Sequence, residues 1–285
     1  MNDSYKEVTV VVVSHKSKKK VLDLIKDISN RFRIIIVENS YDKSIENEIS
    51  DLHKNVQIIF SENNGYGSAI NLARTRVTTK YFFVLNPDMQ KINDKLINIF
   101  YKSAKELNDN FGALGPRFEN VSKKSHKQSN INEKYGQIES ISGSAMFFCT
   151  EIFDKNEGFD ENFFLYFEET DYCYRSNKNN YKIYQVNSQR VHHDIGTSVE
   201  TTSEEEANKF RDLYSWHFIW SKFYFTKKKK GYFFSLVMFA PILLRTILKM
   251  IYYKGIRNVS QEKHYQIRLN GLLSSIKGQR STKRP

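Results

Sequence analysis

The strongest constraint on the fold is an alternation of short β-branched apolar runs with longer amphipathic stretches in the first hundred residues. Short continuous apolar runs are typical of strands buried on both faces, and apolar residues three and four apart predict helices that cover a sheet. The predicted strands are 8–13, 32–37, 56–60 and 81–85, and the predicted helices are 18–28, 43–52, a segment around 69–73, and 96–107. This order predicts an α/β fold with a doubly wound, mostly parallel sheet.

Polar residues collect where the predicted strands end, and open α/β sheets bind their ligands at that edge. These residues are Ser14, His15, Glu38, Asn39, Asn86 and Asp88. A carboxylate at Asp88 can hold a hard divalent cation that bridges the phosphates of a nucleotide. Asn, Pro and Asp are also common turn formers, so a plain turn at 86–88 stays open as an alternative.

Glycines mark two further places where a ligand can approach the backbone. Gly65 and Gly67 follow Asn63 and precede a predicted helix, but the third glycine of the dinucleotide fingerprint is absent. A simple tight turn and a different Rossmann-like nucleotide binder therefore remain alternatives here. We expect residues 111–118, which contain Gly115 and Pro116, to begin an irregular section, and the polar stretch 119–136 that follows to form a mobile surface loop. Gly143 lies among small residues after this stretch.

A dense aromatic and acidic stretch, 158–171, predicts a loop that packs into the core and then opens a helix. Glu168, Glu169 and Asp171 fall in the first turn of that helix, where negative charge suits the helix dipole. A carboxylate beside apolar side chains has a raised pKa and can act as a general base. Arg175, four residues after Asp171, is the expected ion-pair partner.

His193 follows the predicted strand 182–186 and precedes a Gly-Thr-Ser turn. A lone histidine is more often a satisfied polar residue than a ligand, and that alternative stays open. Neutral imidazole is nevertheless a good ligand for first-row metals, so His193 is a candidate metal ligand.

Composition and charge bound the class of protein. A hydrophobic fraction of 40% and a charged fraction of 27% over 285 residues indicate a folded chain. Cys149 and Cys173 do not form a metal-type pair, which favours a reducing compartment. The N-terminus is polar and runs into a strand, so we expect no signal peptide and a cytoplasmic location.

The net charge of +12 is unevenly distributed. Residues 1–208 carry 27 basic and 30 acidic side chains, whereas residues 209–285 carry 17 basic and 2 acidic ones, a net charge of +15. A uniformly basic nucleic-acid-binding fold would not show this split, so we expect no nucleic-acid partner. We predict a domain over 1–208 and a basic extension over 209–285.

The extension pairs a lysine run, 227–230, with an apolar segment, 232–244. Thirteen apolar residues are too few to span a bilayer, and Arg245 and Lys249 interrupt the continuation to Tyr253. We therefore expect an interfacial amphipathic helix on the anionic inner face of the cell membrane, with a buried core helix as the alternative.

Taken together, these segments resemble the inverting glycosyltransferases of family two, which have the GT-A fold, and most closely their bacterial rhamnosyltransferase-like branch. The resemblance runs over about residues 8–200. It is carried by Val10 to Ser14, Glu38 to Ser40, Asn63 to Asn71, Leu85 to Asp88, Gly158 to Phe164, Glu168 to Asp171 and His193 to Ser198.

The resemblance implies roles for particular residues. Glu38 would contact the base or ribose, and Asp88 would face Mg²⁺ or Mn²⁺ and the pyrophosphate in a variant of the family's Asp-x-Asp motif. His193 would complete the metal site. Glu169 would be the general base in place of the family's usual Asp, with Glu168 as the substitute candidate. Asn71 belongs to the same nucleotide-sugar-binding set.

The activity so implied is transfer of a sugar with inversion from a nucleoside-diphosphate sugar to a saccharide or lipid-linked acceptor, in bacterial surface polysaccharide synthesis. The resemblance suggests deoxythymidine-diphosphate rhamnose as the donor. Two other classes stay open: a catalytically inactive nucleotide-sugar-binding or scaffolding protein at the membrane, and a lipid- or nucleic-acid-binding module. Homo-oligomerisation is also left open.

Overall fold

The computed structural model describes residues 3–120, 128–281 and 283–285. The chain divides into two compact units. The first contains Met1–Asp160 and Glu169–Glu200, and the second contains Glu161–Glu168 and Thr201–Pro285. The predicted boundary after residue 208 falls inside the first long helix of the second unit.

One sheet forms the centre of the first unit. Among the described residues its strands are β1 (Val8–Ser14), β2 (Arg33–Glu38), β3 (Val56–Phe60), β4 (Tyr81–Leu85), β5 (Met89–Gln90), β6 (Ala113–Phe118), β7 (Tyr135–Ile138), β8 (Ala145–Cys149) and β9 (Ile183–His193). Their order is β3-β2-β1-β4-β8-β6-β9-β5, and β7 pairs with β9. The four strands β3, β2, β1 and β4 are parallel, β8 is antiparallel to both of its neighbours, and β6 and β9 are parallel again.

Helices cover this sheet. They are α1 (Ser4–Glu7), α2 (Lys18–Ile25), α3 (Ile45–Leu52), α4 (Tyr66–Arg74), α5 (Asp94–Glu106), α6 (Thr150–Lys155) and α7 (Glu168–Lys178). The second unit contains α8 (Glu204–Lys230), α9 (Tyr232–Gly255) and α10 (Val259–Ile276). The expected α/β architecture with a C-terminal helical extension is therefore confirmed.

The core explains why the first strands read as continuous apolar runs. Every residue of β1 and of β4 is buried. Alternate residues point to two layers: Val10 and Phe83 pack on the side of Leu24 in α2 and Phe100 in α5. Val11 and Phe82 belong to the other layer, which includes residues of α4. Apart from Thr9 and Ser14 of β1, every position in these two strands is apolar or aromatic, as expected of a parallel sheet between two helix layers.

Three sequence predictions need correction. Residues 111–118 were expected to be irregular, but 113–118 form β6, and its register shifts between Pro116 and Arg117. Such a bulge accommodates a proline that cannot donate to the ladder. Within the predicted loop 119–136, residues 121–127 lie outside the described residues, and Tyr135 already belongs to β7. The strand predicted at 182–186 continues to His193.

The second unit has its own small apolar core. Ile219 and Phe223 of α8 pack with Phe239 of α9 and Leu272 of α10. The apolar segment predicted to end at 244 is part of a 24-residue helix that is long and apolar enough to cross a membrane by length and composition. The expectation of a segment too short to span is therefore wrong, because Arg245 and Lys249 are accommodated within the helix.

Candidate functional site

Asp88 is the buried acid at the end of β4. Its side chain is fully buried; Ser198 Oγ donates a hydrogen bond of 2.6 Å to Oδ2, and His193 Nε2 lies 3.2 Å from Oδ1. The short strand β5 begins at Met89, directly after Asp88, and pairs antiparallel with the end of β9. Met89 lies opposite His193 in this pairing, which brings His193 next to Asp88. The predicted metal candidates, Asp88 and His193, are thus neighbours in the structure.

The donor atoms around Asp88 suit a divalent cation. Oδ1 of Asp88 and Oδ1 of Asn86 are buried, and within the described chain neither accepts a hydrogen bond, although His193 lies close to the first. Buried oxygen atoms without such partners are rare and call for an explanation. Carboxylate, amide oxygen and imidazole together are ligands that Mg²⁺ or Mn²⁺ accepts.

The protein would supply only part of the coordination shell. The described residues contain no group of three or more His, Cys, Asp or Glu side chains that could hold a metal ion. Mg²⁺ in nucleotide sites typically takes one or two carboxylates and completes its shell with phosphate oxygens and water. The residues present therefore fit a cation that binds together with a diphosphate.

Glu38 is buried at the end of β2, next to the end of β1. Ser14 Oγ donates to one carboxylate oxygen of Glu38, and the Ser40 N–H donates to the other at 2.6 Å. The neighbouring Asn39 accepts a 2.7 Å hydrogen bond from Ser61 Oγ. The predicted nucleotide contact at Glu38 stays a prediction, and these bonds show how the edge of the sheet is held in place.

The predicted glycine turn before α4 is present. Gly65 has a φ of 113°, a value that favours glycine, and its N–H donates to Asn63 Oδ1 at 3.3 Å. Asn63 Nδ2 lies 3.4 Å from His15 Nδ1, so the turn sits beside the end of β1. Gly67 is buried in the first turn of α4. A phosphate contact at this turn remains a prediction.

The segment 142–144 connects Glu169 with the Asn86–Asp88 turn. The Asn86 N–H donates to the Ser144 carbonyl at 2.8 Å. A methyl group placed on Gly143 would lie 3.7 Å from Glu169 Cγ and 3.7 Å from Tyr66 Cε1. Glu169 and Asn86, which lies two residues before Asp88, therefore border the same short segment, although they are far apart in the sequence.

Glu169 has the properties of a general base. Burial raises the pKa of its carboxyl, and the hydrogen bond from Thr170 Oγ1 to Oε1 at 2.9 Å offsets part of that rise. A raised pKa brings a carboxylate closer to the range in which it can accept a proton from a hydroxyl. Glu168, the other candidate, is buried and belongs to the second unit.

Two other predicted site residues have structural partners. Asp171 is buried and its Oδ2 lies 2.8 Å from Arg175 Nε, which confirms the predicted i, i+4 ion pair. The Asn71 side chain donates to the Phe159 carbonyl at 2.9 Å and accepts from the Phe159 N–H at 3.0 Å. We therefore expect both residues to position the segment 156–159 and not to contact substrate.

Arg175→Met should lower the free energy of unfolding by about 3 kcal/mol, because it leaves the buried Asp171 carboxylate without its guanidinium partner. It also removes hydrogen bonds from the guanidinium to the carbonyls of Asn156 and Gly158. Urea unfolding measures the change. Lys155→Met, which breaks an exposed ion pair with Glu151, is the matched control and should leave the midpoint unchanged.

Two residues near the site were not among the sequence candidates. Ser198 bonds to Asp88, and the Tyr66 hydroxyl donates to the Gly143 carbonyl at 2.7 Å. Ser198 lies in the His-x-x-Gly-x-Ser stretch that the resemblance already singled out, so this signal could have identified it. A tyrosine between two glycines carries no comparable signal in a single sequence.

Comparison with known proteins agrees with this geometry. Residues 9–197 match the sequence model of the family described as Glycosyl transferase family 2. No curated protein matches the chain.

Solved structures show the same fold at low identity. The structure of residues 1–349 of S. aureus TarS in complex with UDP-GlcNAc has a TM-score of 0.54 at 13% identity, covering 96% of this chain and 92% of that one. GalNAc-T7 with UDP, GalNAc and Mn²⁺ has a TM-score of 0.52 at 10% identity, covering 77% of this chain and 50% of that one.

Proposed function

Because the chain belongs to glycosyl transferase family 2 and has the GT-A fold, we propose that it transfers a sugar with inversion from a nucleoside-diphosphate sugar to a hydroxyl acceptor. The observation that supports this most is that the segment 142–144 contacts both Glu169 and the turn that ends at Asp88. Asp88 lies at the turn that bonds to Ser144, and Glu169 lies against Gly143.

Each acid suits one half of the reaction. The acceptor oxygen attacks the anomeric carbon as the bond from that carbon to the diphosphate oxygen breaks, so one displacement inverts the configuration. Glu169 accepts the proton of the acceptor hydroxyl, and burial favours the protonated carboxyl that results. A side chain at position 143 would touch Glu169, so the glycine there leaves this carboxylate uncovered on that side.

Asp88, His193 and Asn86 would hold a divalent cation with the diphosphate. When bound, the cation would stabilise the negative charge of the leaving group. Ser198 and the β5–β9 pairing fix Asp88 and His193 in position, so these groups are ready before substrate arrives.

For the donor we propose a pyrimidine nucleoside-diphosphate sugar, with deoxythymidine-diphosphate rhamnose as the specific candidate. The motif order of the rhamnosyltransferase-like branch supports the sugar, and the solved relatives that bind UDP and UDP-GlcNAc support the nucleoside diphosphate. For the acceptor we propose a saccharide or lipid-linked saccharide of bacterial surface polysaccharide.

Thermal unfolding of the full chain with UDP, dTDP, GDP and their sugars, each with and without Mn²⁺, tests the donor. One nucleotide should stabilise the protein only when Mn²⁺ is present. A ligand at about 100 times its dissociation constant raises the free energy of unfolding by about 2.7 kcal/mol, which is a readable shift.

Asp88→Asn is the matched variant for this assay, and it should lose the Mn²⁺-dependent part of the shift. Absence of stabilisation by every nucleotide would contradict the proposal. Stabilisation without transfer to any acceptor would instead favour an inactive nucleotide-sugar-binding protein.

A further inference from the structure

Helix α9 carries an apolar stripe that stays exposed in the described structure. Its largest members are Phe233, Val237, Leu244, Leu248, Ile251 and Tyr252. Phe233 is 82% exposed and Val237 is 74% exposed. Spacings of three, four and seven residues place these side chains on one face of the helix. Contiguous apolar patches of this kind mark interaction surfaces.

The opposite face of α9 already has partners. Phe239 is buried, with its ring centroid 5.1 Å from that of Phe223 in α8, and Leu272 of α10 belongs to the same core. Lys249 Nζ donates to the Tyr265 hydroxyl of α10 at 2.9 Å. The helix is therefore one-sided: one face holds the second unit together, and the other presents apolar side chains outward.

Basic residues lie at both ends of the stripe. Lys227–Lys230 end α8 directly before α9, and Lys230 Nζ lies 4.9 Å from the centroid of the Phe234 ring. Lys254 and Arg257 are exposed at the other end, and the sequence of α9 contains no acidic residue. An apolar face with flanking cations is complementary to a bilayer that contains anionic lipids.

We propose that the α9 stripe docks onto an anionic lipid bilayer, with α9 lying in the headgroup plane and not crossing the membrane. A crossing α9 would draw α10, which packs on its other face, into the hydrocarbon together with Glu262, Lys263 and Arg268. An interfacial position immerses only the stripe, and the charged side of the unit stays in water. The inner face of the cell membrane is the expected location.

This surface is independent of the transfer site, and it would bring the enzyme to lipid-linked acceptors. The test uses the full chain and sedimentation with vesicles of phosphatidylcholine, alone or mixed with phosphatidylglycerol. We expect strong binding to the mixed vesicles that weakens at high salt. The double variant Val237→Glu, Leu248→Glu should reduce the partition coefficient about 100-fold, because two exposed apolar side chains no longer enter the interface.

The matched control is Ser260→Glu with Gln261→Glu, two exposed positions at the start of α10 that receive the same added charge. This control should retain most of the binding. An equal loss of vesicle binding in both double variants would show that the stripe is not the binding surface. Absence of vesicle binding by the unmodified protein would contradict the proposal that the stripe docks onto a bilayer.

Two further outcomes would also overturn the proposal. Resistance to extraction at alkaline pH would show a crossing helix. Lipid-free self-association that the Val237→Glu, Leu248→Glu variant abolishes would show that a second copy covers the stripe. Nucleotide stabilisation measured on the same variants separates this proposal from that of sugar transfer, because it should not change.

Discussion

Asp88→Asn should lower the rate of sugar transfer by about 10²- to 10³-fold, the loss expected when one group that stabilises developing charge is removed. The substitution is nearly isosteric, and an amide oxygen can still accept the hydrogen bond that Ser198 Oγ donates to Asp88. The fold should therefore persist while the negative charge that holds the cation is lost. Transfer assays at several Mn²⁺ concentrations and thermal unfolding of the same sample measure both effects.

Asp194→Asn is the control for this variant. Asp194 follows His193 directly, and its carboxylate accepts a 2.6 Å hydrogen bond from Gln90 Nε2 at the surface. It should leave transfer near the unmodified rate, because its carboxylate is paired with Gln90 and His192 and is not among the proposed cation ligands. If Asp88→Asn transfers sugar as fast as Asp194→Asn does, the assignment of Asp88 is wrong.

Much of the first unit could be predicted because its first strands are short, mostly apolar runs. β3 and β4 begin and end at the predicted residues, and β1 differs by one residue. Thr9 and Ser14 of β1 and Gln57 of β3 are the polar exceptions, and all other positions are apolar or aromatic, so the sequence run and the strand nearly coincide. Prediction failed at β6, because Gly115 and Pro116 read as turn residues, while a bulge lets the strand continue past the proline.

The site could be predicted only in part, because its contacts are non-local. Chain order placed Asp88 at the end of a strand, but nothing in the spacing shows that a two-residue strand, β5, brings His193 to it. Sequence also cannot tell a carboxylate that faces substrate from one with a buried partner. Asp171 and Glu169 lie two residues apart, yet within the part of the chain that the structure describes Asp171 pairs with an arginine and Glu169 does not.

The apolar helix of the second unit shows a related limit. In the sequence Arg245 and Lys249 predict an interruption of the apolar segment, because charged residues oppose burial in a membrane core. In the structure Lys249 bonds to Tyr265, so a charged residue marks the packed side of α9 and not its end. Composition alone does not distinguish a charged residue that ends an apolar helix from one that lies on its packed side.

Glu169→Gln should lower transfer by about 10²- to 10⁴-fold, the usual contribution of a general base. Nucleotide stabilisation with Mn²⁺ should be unchanged, because Glu169 is not among the proposed cation ligands. Burial raises the pKa of Glu169 above its ordinary value of 4.5, and the base must be ionised to act. The rate of the unmodified enzyme should therefore fall on the acid side at a pH above 4.5, and Glu169→Gln should lose this limb.

Thermal stability provides a second measurement on Glu169→Gln, because we expect this variant to lose activity but to gain stability. A carboxyl with a raised folded-state pKa favours the folded protein while it is protonated, and this contribution is lost as pH rises from 4.5 through the folded-state value. Glutamine cannot ionise, so Glu169→Gln should raise Tm at a pH above the folded-state pKa of Glu169 and have little effect below pH 4.5. Glu168→Gln is the comparison variant. If Glu168→Gln abolishes transfer and Glu169→Gln does not, the general base is Glu168. In that case the residue at the position of the family's usual Asp, Glu169, does not act as the base, and its neighbour does.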